Sequence, residues 1–500
     1  MEITAQNLAF PIAILLLSLG TRLLPPPTAR QWLLLLLSYL FYAYWEPVFL
    51  LVLIASSLMN YGWGSVLRRR PTVLRLWIGI GLNLLLLGFF KYLPPLLETV
   101  PESSGDFDLL RQVVMPLGIS FWTFQALSYL LDIYREEELD PSLAEFCLYM
   151  AFWPTVLSGP VCRLPSMLPQ FRRAYIFTWN DISTGTLRIV QGLFMKFVLA
   201  QVLAVGLRPG EGVNAAFNRS AGSWSGTDVW LLAIGFGLQL FFDFAGYSHI
   251  VIGASRLLGI RLHENFDRPY LATTPSVFWT RWHMSLSFWI RDYVFLPLAA
   301  MGRDHRWPYL ALVLSMTLFG LWHGAKATLV LWGFYHGLLL VAHRLGQQTK
   351  RRAGFSCPPY FGKILSCSST FALISLGWIL FRARDAGQAW TMLHSVVSPS
   401  SYQQFGLSSG FYILICCMAG GYFVYEGMAL LLSHCRARYR DNLQTIPGMS
   451  LGRIGAELIE FFADRAWWWK TPILFGFLLL GGRIVFAQGA TAQGFVYALF

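Results

Sequence analysis

Apolar residues in this chain come in long unbroken runs separated by short polar or Pro-rich stretches, not at alternate positions and not on one helical stripe. The run 76–97 (LWIGIGLNLLLLGFFKYLPPLL) carries one charge, Lys91, and as a helix rising about 1.5 Å per residue it crosses a hydrocarbon layer of roughly 30 Å. Runs of the same kind predict spans near 8–24, 32–45, 47–66, 76–97, 113–134, 185–207, 228–258, 308–322, 326–343, 363–381, 410–432 and 471–487. Continuous apolarity argues against a β-barrel, whose strands alternate, and predicts an all-α polytopic membrane protein. We read 1–500 as a single integral-membrane domain with its motif-bearing core at about 115–345.

Two segments depart from this pattern. Residues 143–159 are apolar but run into Gly159-Pro160, Pro165 and Pro169, so a helix begun there stops short of crossing. Residues 278–300 follow Pro269 and Pro275 and mix tryptophans with Arg, His and Asp; as one helix they place His283, Ser287 and Arg291 on one face and Trp282 with Trp289 on another. Backbone that breaks at membrane depth needs protein or water around it, so these segments predict a cavity.

Composition agrees: 55% of residues are hydrophobic and 13% charged, and mean hydropathy is +0.51. The net charge of +12 comes without a long basic tract, which argues against a nucleic-acid partner. Cations flank spans at 68–70, 172–173, 344–352 and 436–440, as expected of cytoplasmic loops facing anionic lipid. On that basis the N-terminus lies outside, 22–30 inside, Glu46 outside, 68–75 inside and 98–111 outside. The N-terminal run lacks a cleavage site and reads as a retained first span. None of the seven cysteines has metal-ligand spacing, so neither a metal site nor a disulfide is expected. Residues 448–452 (GMSLG) match a nucleophile elbow, but no His follows His434, so they read as a solvated connection. Nucleotide-binding glycine patterns are absent.

Ionisable groups inside a membrane are expensive unless they face a cavity or a partner, which makes them the best functional pointers. They gather in three places: Asp243, Tyr247, Ser248 and His249 in 239–249; Arg281, His283, Arg291 and Asp292 in 278–292; and His323 in 318–337, bracketed by Gly320 and Gly324. The two glycines allow a substrate or another backbone to come close, and an imidazole is the side chain best suited to exchanging protons near neutral pH.

At these residues the chain resembles the membrane-bound O-acyltransferase superfamily, in its bacterial alginate O-acetyltransferase-like branch. The resemblance rests on Asp243-Phe244-Ala245-Gly246-Tyr247-Ser248, on Arg281-Trp282-His283-Met284-Ser285-Leu286-Ser287 with Trp289 and Arg291-Asp292-Tyr293, on Leu321-Trp322-His323-Gly324, and upstream on Ser158-Gly159-Pro160 with Arg163. Asn265-Phe266 with Pro269-Tyr270 belongs to the same stretch. The chain departs from the family in having His249, where Asp is usual, and in Ala299 to Arg303.

The resemblance implies a ring of transmembrane and re-entrant helices around a thinned catalytic funnel, and acyl transfer from a thioester to a hydroxyl. It assigns catalysis to His323, as base, and His283, with Arg281, Trp282, Ser287, Arg291, Asp292, Trp322, Asp243 and Tyr247 binding substrate. No bound cofactor is implied. Acetyl-CoA is the expected donor, an exopolysaccharide such as alginate or cellulose the acceptor, periplasmic or membrane-anchored acetyltransferase proteins the partners, and the bacterial inner membrane, with its lipid, the location. The rival readings are D-alanyl, lipid or protein O-acylation and, from another class, a non-enzymatic exporter of polysaccharide or acyl groups.

Overall fold

A computed structural model describes residues 5–443 apart from 21–26, 98–107, 112, 136–138, 174–177, 209, 220–223 and 354–358, together with Gly476. Apart from Gly476, the span expected at 471–487 lies outside the described residues, as does the GMSLG segment. Among those described, every regular element is helical. The principal helices are α1 (Ala5–Gly20), α2 (Pro27–Trp45), α3 (Pro47–Arg69), α4 (Val73–Lys91), α5 (Ile119–Tyr134), α6 (Leu143–Ala151), α7 (Trp179–Phe194), α8 (Gly226–Leu257), α9 (Trp307–His323), α10 (Ala327–Ala353), α11 (Pro359–Arg382) and α12 (Ser409–Leu443). Six described helices are long and apolar enough to cross a membrane. This is an all-α, multi-pass membrane protein.

Burial separates the helices by role. In α8, 83% of the most apolar window is buried, against 22% in α4 and 17% in α12, so among the described residues α8 is a central post while α4 and α12 are largely exposed. A capping box starts α8, with Ser225 accepting from the Asp228 N–H and Asp228 accepting from the Ser225 N–H. Helix α7 packs on α8 through paired glycines: a methyl on Gly192 would stand 2.4 Å from the Gly246 carbonyl oxygen, and one on Gly253 would stand 2.6 Å from that of Gly185. Small residues at such crossings let backbones meet where lipid supplies no hydrophobic drive. Beyond Phe194 the chain takes a π-turn, Met195–Ala200, which carries Lys196 to the buried carboxylate of Asp243 on α8.

Both unusual segments break. Helix α6 has nine residues, about 14 Å at 1.5 Å each, starts at a Ser142/Glu145 capping box and gives way to turns after Ala151. The second segment becomes four pieces: a helix Pro275–Trp279, a helix Met284–Ile290, a π-turn Arg291–Phe295 and a helix Leu296–Met301. His283 lies between the first two in left-handed backbone (φ 43°, ψ 52°). The shared face expected for His283, Ser287 and Arg291 therefore does not form, because an α-repeat cannot pass through a left-handed residue and a π-turn. The cations of 344–352 and 436–440, expected in loops, stand instead within α10 and at the end of α12.

Candidate active site

His323 is the last residue of α9. Gly324 then takes extended backbone (φ 170°, ψ 159°), and α10 starts three residues later. Helices α9 and α10 cross at glycines: a methyl on Gly320 would stand 2.2 Å from the Leu329 carbonyl oxygen, and one on Gly333 would stand 2.2 Å from that of Met316. The close approach expected at Gly320 is thus by the α10 backbone, whereas a methyl on Gly324 would meet only the end of the Leu329 side chain. The imidazole of His323 is 3% exposed and caged by Trp322, Phe319, Phe381 and Trp332, with ring centroids 4.7, 5.0, 5.1 and 5.3 Å away. It lies within electrostatic reach of His283 and of Lys91.

His283 is fully buried. A non-glycine residue in left-handed backbone is strained, and such strain persists only where neighbours over-determine it. Here Asn265 does so. Its Oδ1 accepts from Ser285 Oγ at 2.9 Å and from the Ser285 N–H at 3.3 Å, and it lies 3.1 Å from His283 Nδ1. Its backbone carbonyl accepts from the Met284 N–H at 2.9 Å. Because Asn265 Oδ1 is an acceptor in all these contacts, Nδ1 carries the proton of a neutral imidazole and Nε2 is the basic nitrogen. Asn265 also donates to Ser248 Oγ at 3.3 Å, and Ser285 Oγ accepts from the Val161 N–H at 3.0 Å. One elbow thus ties together the 158–163, 243–248 and 265–292 segments. The edge of Phe244, 4.6 Å away, closes the ring over His283.

Aromatic side chains join the two histidines. Trp282 stacks on Phe278 at 5.5 Å and approaches Trp378 to 4.9 Å; Trp378 meets Phe381, and Phe381 meets His323. Trp322 is buried under Lys91 and leans on Phe124 at 5.2 Å. A second aromatic series, Tyr293, Trp289, Phe124, Trp322, leads from the Asp292 region to His323 in steps of 4.3 to 5.2 Å.

The other candidate residues divide. Arg281 is half-buried, and its carbonyl accepts from the Asp267 N–H. Ser287 donates to the Trp282 carbonyl at 2.9 Å, so it shapes the elbow. Asp292 binds Arg163 at 2.8 Å and Arg291 at 2.6 Å, and its carbonyl accepts from Arg135, so Arg291 and Asp292 form an arginine cluster of their own while His283 is held by Asn265. Asp243 pairs with Lys196, and the Ser158 backbone hydrogen-bonds the Tyr247 hydroxyl. Two residues given no role from the sequence belong to the site, Asn265 and Lys91, and a third, Lys196, pairs with Asp243. Lys91 and Lys196 carried a signal there, as cations inside apolar runs. Among the described residues no three His, Cys, Asp or Glu side chains converge as a metal would require.

A buried imidazole walled by indoles can take a proton from a hydroxyl while keeping water from a thioester. The model of the membrane-bound O-acyltransferase family matches residues 99–356, and that of a family of unknown function matches 453–500. The chain is 34% identical over 395 residues to a Pseudomonas aeruginosa protein named "Probable alginate O-acetylase AlgI", covering 77% of this chain and 73% of that one. It is 31% identical over 404 residues to the peptidoglycan O-acetyltransferase of Helicobacter pylori, covering 74% of each. Identity to the teichoic acid D-alanyltransferase of Streptococcus thermophilus is 30% over 314 residues, 59% of this chain and 74% of that one. These relatives transfer acyl groups, which removes the exporter reading. With its two motif histidines buried against one aromatic wall, the chain belongs to the membrane-bound O-acyltransferase family, in its alginate O-acetylase-like branch, and is an O-acyltransferase.

Proposed function

We propose that this enzyme, seated in the bacterial inner membrane, passes acetyl groups from cytoplasmic acetyl-CoA towards hydroxyls of an exopolysaccharide such as alginate or cellulose, together with periplasmic partner proteins. The observation that carries this reading is the pair of buried histidines, His323 in its aromatic cage and His283 at its strained elbow. His323 takes the hydroxyl proton as the oxygen attacks the thioester carbonyl. The tetrahedral oxyanion collapses, the carbon–sulfur bond breaks, and the thiolate leaves with the proton held on His323. His283 orients the acceptor, whose hydroxyl donates to the unprotonated Nε2.

The side of donor entry is supported by the charges. Arg68, in the last turn of α3, pairs with Asp140, to whose carbonyl Arg172 donates at 2.7 Å. Arg135, at the end of α5, donates to the Asp292 carbonyl, so the Arg163–Asp292–Arg291 cluster lies towards the same basic face. Basic faces are cytoplasmic. Acetyl is favoured over D-alanyl because the similarity to O-acetylases runs over more of the chain.

The test is turnover by purified protein in detergent, offered labelled acetyl-CoA or a D-alanyl-loaded carrier protein, alongside the O-acetyl content of polymer from cells carrying each variant. Acetyl transfer without ATP is expected. His323→Ala loses roughly 10²- to 10⁴-fold in turnover at normal membrane abundance, and His283→Ala is severe with some residual transfer. Transfer from the carrier alone, or near-normal acetylation with His323→Ala, overturns the reading.

A further inference from the structure

Helix α4 is open over most of its surface, with Leu74, Trp77 and Leu85 at least 62% exposed, and it buries one stripe: Leu76, Gly79, Asn83, Leu87 and Lys91. The stripe carries no charge until its last member. Lys91 is 8% exposed; its ammonium donates to the Trp322 carbonyl and to Ser120 Oγ, and lies 4.9 Å from the centre of the Trp322 ring. The next residue, Tyr92, donates to the Leu321 carbonyl at 3.1 Å. Both carbonyls belong to the final turn of α9, where a helix leaves its last C=O groups without intrahelical partners and where its dipole favours a cation. His323 follows directly.

Neutral donors suffice for a carbonyl, as the Gly324 N–H at 3.0 Å and the Tyr92 hydroxyl do for Leu321. A cation within the membrane is expensive, and Lys91 is buried at the one helix end that carries the proposed base. As the acyl oxygen gains negative charge, a fixed positive charge nearby opposes that charge with no reorganisation. We propose that Lys91 is a positioning residue for acyl transfer: it clamps the turn that bears His323 and holds a positive charge beside the site where the oxyanion forms. It donates no proton to the reaction and forms no bond with substrate. The inference rests on the reading of His323 as the base.

Three substitutions separate the parts of the claim. Lys91→Met removes donor and charge, Lys91→Gln keeps a donor without charge, and Lys91→Arg keeps both. With labelled acetyl-CoA and purified protein, Met and Gln are expected to lower kcat roughly 10- to 100-fold, on the scale of a 1 Å misplacement of a reacting group, with KM for the donor unchanged and kcat substantially restored in Arg. A second readout needs no turnover. In isotope-labelled protein, the His323 imidazole NMR signal, identified with His323→Gln, should move in Lys91→Gln and return towards its original position in Lys91→Arg.

Wild-type kcat in Lys91→Gln refutes the role of charge, and wild-type kcat in Lys91→Met refutes the clamp. Loss of folded protein in Met and Gln alike, by melting in detergent, makes Lys91 structural and overturns the proposal, as does an inactive but folded Lys91→Arg. His323→Ala, run in parallel, keeps the two readings apart. If it is active, the base assignment fails; if it is dead while Lys91→Gln is normal, only the present inference fails. If acetyl-CoA supports no turnover at all, the donor assignment fails and the NMR signal still decides Lys91.

Discussion

Replacing Gly333 by alanine tests whether the crossing of α9 and α10 sets the position of His323. A Cβ at Gly333 would lie 2.2 Å from the Met316 carbonyl oxygen, and real Cβ atoms essentially never come closer than 3.0 Å. The blocking atom is backbone, so no side chain can swing aside and the helices must part by roughly 1 Å, a displacement that costs about 10²-fold when it moves a catalytic group. His323 stands seven residues beyond Met316 on the same helix, and its cage includes Trp332, the residue before Gly333. Overpacking of this kind also destabilises by about 1–3 kcal/mol. Gly333→Ala is therefore expected to lower kcat by roughly 10- to 100-fold with little change in KM for the donor. Gly320→Ala, blocked by the Leu329 carbonyl oxygen at 2.2 Å, should do the same. Gly324→Ala is the control: its φ of 170° is open to any residue, and its nearest obstacle is the Leu329 Cδ1 atom at 3.0 Å. The assay is release and transfer of labelled acetyl by purified protein, with melting temperature and membrane abundance measured in parallel. Wild-type turnover in Gly333→Ala, or equal damage in Gly324→Ala, would show that the crossing does not hold the base in place.

Two further substitutions probe the supports of the site. Asn265→Ala frees the His283 ring and the Ser285 elbow together, so turnover should fall by on the order of tenfold or more while the protein still inserts; unchanged kcat would remove Asn265 from the site. Lys196→Met leaves Asp243 charged and buried without its ammonium, at a cost of about 3–5 kcal/mol in stability, and Lys196→Met with Asp243→Asn should recover most of it. Melting in detergent reads this directly. Recovery of stability without activity would return Asp243 to the substrate site.

Much of this architecture is legible in the chain because the membrane makes polarity costly. Long apolar runs have one stable solution there, the helix, so the spans at 47–66, 228–258 and 363–381 correspond to α3, α8 and α11 within a few residues, while α4 stops at Lys91 and α12 runs on to Leu443. The short α6 was equally readable, since prolines and a glycine follow it. What hydropathy cannot carry is local geometry set by distant contacts. The left-handed turn at His283 depends on Asn265, 18 residues away, and the π-turn that aims Lys196 depends on Asp243, 47 residues on. Periodicity applied to 283–291 therefore put the wrong residues on one face.

The same physics explains why the histidines stood out while their supports did not. An imidazole can be buried neutral, so a His in an apolar run draws attention as chemistry. An ammonium in such a run, like that of Lys91 or Lys196, needs a partner, and the sequence does not say whether the partner is a carboxylate, as for Lys196, or helix carbonyls, as for Lys91. That distinction carries functional weight. An ion pair ties a lysine to a neighbouring helix, whereas a bond to a helix-end carbonyl ties it to the turn that carries the proposed base. Of these two buried lysines, Lys91 is the one whose ammonium is bonded to the final turn of the His323 helix, where the proposed acyl transfer would generate negative charge.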